Sequence, residues 1–291
     1  MISAIISAYY PSDSVRLHVS KIAAQVDKIY ICDNSSVSNR EFFTQIPDQE
    51  KIVYTCFCEN LGLSVAFNRI LKDSNILWKA DDYIFFFDQD SSIQEGHIAQ
   101  MICDYEDLLH HGHNVGCLGP AYFNTSNKTL EIPRSKRGLC DGIYAVSSII
   151  TSSMLCRYGD LQSVGFWNEE VFLDMADWDL CWRLQSIGKL CCLTQNVVLH
   201  HSVGSGEKKV GPLRLRVGQP IREYYQIRDG MYLFTKQYAP WKFRLRYLAM
   251  LLVRSVLHVV FLDHRKKRMM YIWKGFIDAC KKKKGVLIST E

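Results

Sequence analysis

The sequence predicts an α/β fold: a doubly wound, mostly parallel sheet followed by a helical, basic C-terminal extension. Three observations carry this. Apolar, β-prone runs alternate with helical stretches over the first ninety residues and end in polar residues at one edge, as in nucleotide-binding sheets. The run Tyr83-Ile84-Phe85-Phe86-Phe87 passes directly into Asp88-Gln89-Asp90, which reads as a buried strand delivering carboxylates to that edge. Most of the excess positive charge lies in residues 205 to 291, including Arg265-Lys266-Lys267-Arg268 and Lys281-Lys282-Lys283-Lys284. With 291 residues, 48% apolar and 22% charged, the chain is long enough to bury a full core and is not a disordered one.

The elements follow in order. Residues 2 to 8 form the first strand, and the loop Tyr9-Tyr10-Pro11-Ser12-Asp13 leads into a helix from about residue 14 to 25. Residues 28 to 32 form a second strand ending in Asp33-Asn34-Ser35-Ser36. A carboxylate there accepts from a nucleotide's base or ribose, or closes an Asx turn, and local sequence leaves both open. Residues 51 to 57 supply a third strand. Asn60 and Gly62 then suit a tight turn before a helix from Ser64 to Leu71 that carries Asn68. Asp88 and Asp90 end the fourth strand. Two carboxylates one residue apart are hard oxygen ligands that hold a divalent cation, Mg²⁺ or Mn²⁺, against a diphosphate while leaving room for its oxygens.

In the second half, residues 97 to 109 read as a helix and 115 to 121 as a strand. Residues 142 to 154 read as one long β-branched strand ending in Thr151-Ser152-Ser153. Asp179 and Arg183, spaced i and i+4, form an intrahelical pair. Residues 188 to 199 form a strand that runs into His200-His201, and residues 202 to 211 read as flexible. From 240 onward, apolar residues are broken by Arg244, Arg246, Arg254 and His258. No stretch approaches the roughly 20 apolar residues that span a bilayer. Amphipathic helices remain, lying on a membrane through residues 240 to 284 or packing within the protein or a homodimer.

The eleven cysteines, an odd number without a secretion signal, argue against a disulfide framework. Cys56-x-Cys58 and Cys191-Cys192 lack zinc-knuckle spacing and read as packing thiols. An acidic sheet edge repels phosphate in the absence of a metal, which argues against nucleic acid as a partner. The sequence therefore suits a cytoplasmic protein, at most at the inner face of the plasma membrane.

The order of Ser7-Ala8-Tyr9-Tyr10-Pro11, Asp33-Asn34-Ser35, Asn60-Leu61-Gly62 with Asn68, and Asp88-Gln89-Asp90 resembles the inverting family 2 glycosyltransferases of GT-A fold, and among them the rhamnosyltransferase branch. The likeness covers residues 2 to 235. Asp177, in Phe172-Leu173-Asp174-Met175-Ala176-Asp177, matches the family's general base, with Ala176 where Glu is frequent. His201 matches a His-Ser-x-Gly arrangement that completes the metal site or touches the diphosphate. The segment Arg222-Glu223-Tyr224-Tyr225-Gln226-Ile227-Arg228-Asp229 matches one whose arginines neutralise phosphates.

The resemblance implies a GT-A catalytic domain over residues 1 to 205, with a nucleotide-sugar half to about 95 and an acceptor half beyond. It implies a donor site of Ala8, Tyr9, Asp33, Asn60, Gly62, Asn68, Asp88, Gln89 and Arg222, and a metal at Asp88, Asp90 and His201. Ser152, Ser153 and Trp178 fall on the acceptor side, with Ser153 where glycine is usual. The implied donor is dTDP-β-L-rhamnose or another UDP- or dTDP-hexose, and the acceptor a glycan or lipid-linked glycan precursor. A nucleotidyltransferase would need a Gly-rich basic loop after the first strand, which Ala8-Tyr9-Tyr10-Pro11-Ser12 is not. A non-catalytic scaffold on a degenerate GT-A fold is the remaining alternative.

Overall fold

A computed structural model of the chain describes residues 1–124, 129–133, 135–201, 207–210 and 213–287. The parallel strands β1 (Ile2–Ala8), β2 (Lys28–Asp33), β3 (Ile52–Cys56) and β4 (Tyr83–Asp88) stand in the order β3-β2-β1-β4. The helices α1 (Ser14–Ala23), α2 (Leu63–Leu71) and α3 (His97–His110) pack on them. Strand order reverses between β1 and β4, where Ser7 lies opposite Asp88. That reversal opens a crevice at the C-terminal ends of the strands, the usual ligand position in such sheets.

The aromatic run of β4 is buried on both faces because helices cover both. Phe86 joins one core with Phe67 and Trp167, while Phe85 and Phe87 join the other with Ile6 and Tyr105. Alternation along the strand sends successive rings to opposite sides. Burying three phenylalanines on one strand contributes several kcal/mol of hydrophobic stabilisation.

Beyond β4 the sheet becomes mixed. It continues through β5 (Val115–Asn124), β6 (Thr129–Glu131), β7 (Lys136–Cys140), β8 (Ile143–Val146), β9 (Met154–Arg157) and β10 (Leu190–His201). These complete a ten-stranded sheet in the order β3-β2-β1-β4-β9-β5-β10-β8-β7, with β6 on β5. Strand β9 is antiparallel to β4, pairing Met154 with Phe86. The single strand expected over residues 142 to 154 is instead two, β8 and β9, in separate parts of the sheet. Ser153, at φ 63°, turns the chain between them, and a left-handed residue cannot continue a strand.

The helices α4 (Tyr158–Ser163) and α5 (Ala176–Ser186) precede β10, and β11 (Glu207–Val210) pairs with β12 (Leu213–Arg216). That hairpin falls partly on the stretch expected to be flexible; residues 202 to 206 and 211 lie outside the described residues. The chain ends in α6 (Ile221–Phe234), α7 (Trp241–Phe261) and α8 (Arg265–Cys280). These pack on the sheet domain. Tyr238 donates to Asp179 Oδ1 at 2.6 Å, the backbone N–H of Phe172 donates to Asp229 Oδ2 at 2.9 Å, and Trp182 meets Phe243 at 4.7 Å between ring centroids.

Candidate active site

A cavity of about 810 Å³ opens at the crevice and is walled from four directions. Leu63 and Asp88 come from the parallel half, Thr151 and Ser152 from the turn before β9, and Asp174, Asp177 and Trp178 from the approach to α5 and its first turn. The fourth wall is C-terminal: Arg222, Glu223 and Gln226 of α6 with Met250, Arg254 and His258 of α7.

Asp88 ends β4 partly accessible, and its Oδ2 accepts a 2.6 Å hydrogen bond from Ser152. Ser152 is held there by its neighbour. The left-handed Ser153 donates its backbone N–H to Phe86 at 2.7 Å, and its hydroxyl bonds His97 Nε2 at 2.7 Å. Burial pushes His97 down to about 4, so the ring is neutral near pH 7. Asp90, two residues past Asp88, is exposed.

Gln89 does not line the cavity and ties the strand ends together. It accepts from Tyr9 N–H at 2.8 Å and donates to Tyr9 O at 3.2 Å. Tyr9 and Tyr10 stand about half exposed beside it, edge to face at 4.7 Å. Ala8 contributes only backbone, accepting from Asn34 N–H at 2.9 Å.

Asp177 sits in the first turn of α5, entered through Met175 at φ 71°. Trp178 N–H donates to its Oδ1 at 2.8 Å. Although the side chain keeps some surface in the cleft, protein closes round the carboxyl. Burial pushes it up to about 8, with Cys181 and the Asp88 and Asp174 carboxylates adding to the rise. A carboxyl poised near neutrality in a cleft is suited to take a proton. Trp178 is 39% exposed beside it and backs onto Trp182 and Phe243.

Several residues expected at the donor site make contacts within the protein. Asp33 has no exposed surface. Its oxygens accept from Ser35 N–H, from Asn39 N–H and Nδ2, and from Tyr54 OH at 2.5 Å, so the Asx-turn reading describes it and direct contact with a base or ribose does not. Burial opposes ionisation there, but these donors outweigh it and hold the carboxyl below its ordinary value. Asn68 is buried and spans 99 residues of sequence, donating to Trp167 O and Glu169 Oε1 and accepting from Trp167 N–H. Asn60 Oδ1 accepts from Gly62 N–H in its own turn. Gly62, at φ 78°, lets α2 abut Phe172: a Cβ there would lie 2.5 Å from the Phe172 carbonyl oxygen.

Arg222 does line the cavity, paired with Asp174 through two hydrogen bonds. Arg228 does not line the cavity. It is buried, bonded to Asp229 at 2.7 Å and Gly285 O at 2.6 Å, and packed over the Tyr224 and Tyr225 rings. Asp179 and Arg183 form the expected pair at 2.6 Å. The side chain of His201 lies outside the described residues.

The oxygen chemistry of Asp88 and Asp90 fits a hard divalent cation. Among the described residues the one group of three metal-capable side chains with converging ligand atoms is Cys117, Cys181 and Cys191, buried in the core. The aspartate pair is thus suited to a cation that draws further oxygens from a ligand's phosphates. The convergence of those three thiols was not foreseen. Cys181 and Cys191 are ten residues apart and Cys117 is 64 residues before Cys181, and all eleven cysteines are free. Sequence reasoning also passed over the α7 wall and Asp174. Asp174 lies three residues before Asp177 in a quoted motif, which was the available signal.

No protein-family model matches the chain. The dTDP-rhamnosyl transferase RfbF of Shigella flexneri is 27% identical over 255 residues, 83% of this chain and 82% of that protein. The crystal structure of GalNAc-T7 with UDP, GalNAc and Mn²⁺ superposes with a TM-score of 0.54 at 11% identity, covering 97% of this chain and 56% of the other. That second likeness speaks for the fold. The chain has the GT-A fold and is similar in sequence to a dTDP-rhamnosyl transferase, as its motifs indicate.

Proposed function

We propose that the protein is an inverting glycosyltransferase that moves L-rhamnose from dTDP-β-L-rhamnose to a hydroxyl of a polysaccharide or lipid-linked glycan precursor. The observation that carries this is the meeting, in one cavity, of Asp177 with a carboxyl pushed up to about 8 and Asp88 fixed by Ser152. The choice of sugar rests on the likeness to RfbF.

In this reading Asp177 is the general base. Its carboxylate takes the proton of the acceptor hydroxyl as that oxygen attacks the anomeric carbon from the face opposite the diphosphate. The C–O bond to the diphosphate breaks in the same displacement, dTDP leaves with the electron pair, and configuration inverts. Asp88 and Asp90, with His201, would hold Mg²⁺ or Mn²⁺, which when bound offsets the charge building on the leaving diphosphate. Arg222 adds a cation on that side, oriented by Asp174. Tyr9 and Tyr10, exposed just past the end of β1, offer faces for the base. Trp178 lines the acceptor side, where an indole face suits a sugar ring. Transfer at the inner face of the plasma membrane fits the absence of any described helix long and apolar enough to cross a bilayer, combined with a basic C-terminal region.

The test is release of dTDP from dTDP-β-L-rhamnose in the presence of a lipid-linked glycan extract, with wild-type protein and Asp177→Asn. The proposal expects acceptor-dependent release by the wild type, lost in the variant while dTDP binding persists. Release from a UDP-hexose instead would move the assignment to another donor. Binding of nucleotide without transfer, unchanged by the substitution, would leave a scaffold.

A further inference from the structure

Helix α7 wears its apolar side outward. Trp241, Leu245, Leu248, Leu252, Val256 and Val260 recur every three or four residues along one face and are 45% to 70% exposed. The opposite face is occupied: Tyr247 packs on Gly230 of α6, and Met250, Arg254 and His258 line the cavity. Helix α8 continues the outward surface with Met269, Met270, Trp273 and Phe276, all more than 40% exposed. An apolar surface of this extent on a folded chain marks an interaction site.

Charge selects the partner. No aspartate or glutamate occurs in α7, and the one in α8, Asp278, is buried against Tyr224 OH and Lys283. Lys242 and Arg246 flank the stripe on α7, Arg265, Lys266 and Lys267 begin α8, and Lys281 to Lys284 follow it, all exposed. Contact with a second copy about a two-fold axis would set these basic rims against each other, since the same patch faces itself. Two exposed tryptophans, an aliphatic stripe and a cationic rim instead match a helix lying in the headgroup layer of an anionic membrane. Neither helix is long and apolar enough to cross one.

We propose that the outward face of α7 and α8 beds on an anionic phospholipid bilayer, which holds the α7 wall of the cavity about one helix diameter from the membrane. A lipid-phosphate-linked acceptor anchored in that bilayer then has to extend its glycan only past α7, about 10 Å, to reach Met250, Arg254 and His258. That consequence rests on reading the cavity as the transfer site; the binding surface itself does not.

The experiment is co-sedimentation of the full chain with vesicles of phosphatidylcholine alone or with about 30 mol% phosphatidylglycerol, at low and high salt. It is repeated on Leu252→Gln/Val256→Gln and on Met270→Gln/Trp273→Ala, with calorimetric dTDP binding as the check that each variant keeps its cavity. The proposal expects at least about tenfold stronger partitioning onto the anionic vesicles, weakened by salt, and at least about tenfold loss in either variant. Equal binding to both vesicle types would overturn it, as would partitioning indifferent to both pairs of substitutions. A dimer in sedimentation equilibrium that the same substitutions dissociate would also overturn it and give the face to a second copy. Vesicle binding is read without donor or acceptor, so failure of the transfer assay would count against the rhamnosyltransferase reading and not against this surface.

Discussion

Replacing Asp177 by asparagine should stop transfer and, at the same time, stabilise the fold. Burial holds its carboxyl at about 8, against 3.8 for an ordinary aspartate. At pH 7 the unfolded chain carries the ion and the folded chain mostly the acid. About three pH units at ~1.4 kcal/mol each then set a ceiling of roughly 4 kcal/mol against folding. Part of the side chain faces the cleft, where solvent screens it, so a gain of about 1–2 kcal/mol is expected, or about 2–6 °C in Tm. Because the folded value is raised, stability is whole below pH ~4 and declines as pH climbs towards 8. Asparagine does not titrate, so the melting temperatures of the two proteins should meet near pH 4 and part progressively up to about pH 8. Wild-type transfer should rise with pH through the same range, with a divalent cation near Asp88 drawing that limb to lower pH, while the variant loses about 10²- to 10⁴-fold. Thermal denaturation and dTDP release, measured on both proteins from pH 4 to 9, supply the comparison. A variant that transfers at near wild-type rate, or a stability difference that does not change with pH, would refute the assignment.

Substitutions at three further positions probe the frame that holds the site. Gly62→Ala forces a Cβ against the Phe172 carbonyl at a φ that glycine favours, and should cost about 3 kcal/mol or more in urea denaturation. Ser153→Gly should be more stable than Ser153→Ala by about 1 kcal/mol, reversing the usual order, because both lose the His97 hydrogen bond but only glycine relieves the left-handed backbone; equal stabilities would deny the strain. Asp229→Ala leaves the Arg228 guanidinium buried without its counter-ion and should cost about 3–5 kcal/mol, whereas Asp229→Asn keeps an acceptor for Phe172 N–H and should cost less.

The parallel half of the fold was legible because its signals are local. An aromatic run ending in Asp88 and Asp90 has few readings other than a buried strand at a sheet edge, and strand β4 ends at Asp88. The turn at Gly62 was legible for the same reason, although its partner, Phe172, was not. Residue type did not separate turn-closers from ligand contacts: Asp33 and Asn68 are buried and bonded to the protein's own backbone and side chains. An Asx turn and a ribose contact use the same carboxylate at the same place, and only burial distinguishes them. The split of residues 142 to 154 into two strands was hidden because Ile149, Ile150 and Thr151 suit a buried loop as well as a strand, and no glycine marks the left-handed turn that Ser153 makes. The α7 wall depends on how three helices pack after the sheet is complete. Periodicity in α7 shows an apolar stripe but not which way it faces, and here it faces outward.

Calorimetric titration of dTDP and of UDP, with and without Mn²⁺, on the wild type and on Asp90→Ala tests the central claim most directly. The account predicts binding of dTDP that requires the metal, exceeds that of UDP and is lost in the variant. Metal-independent binding, or equal binding by Asp90→Ala, would contradict the placement of a nucleotide diphosphate at the Asp88 edge of the cavity.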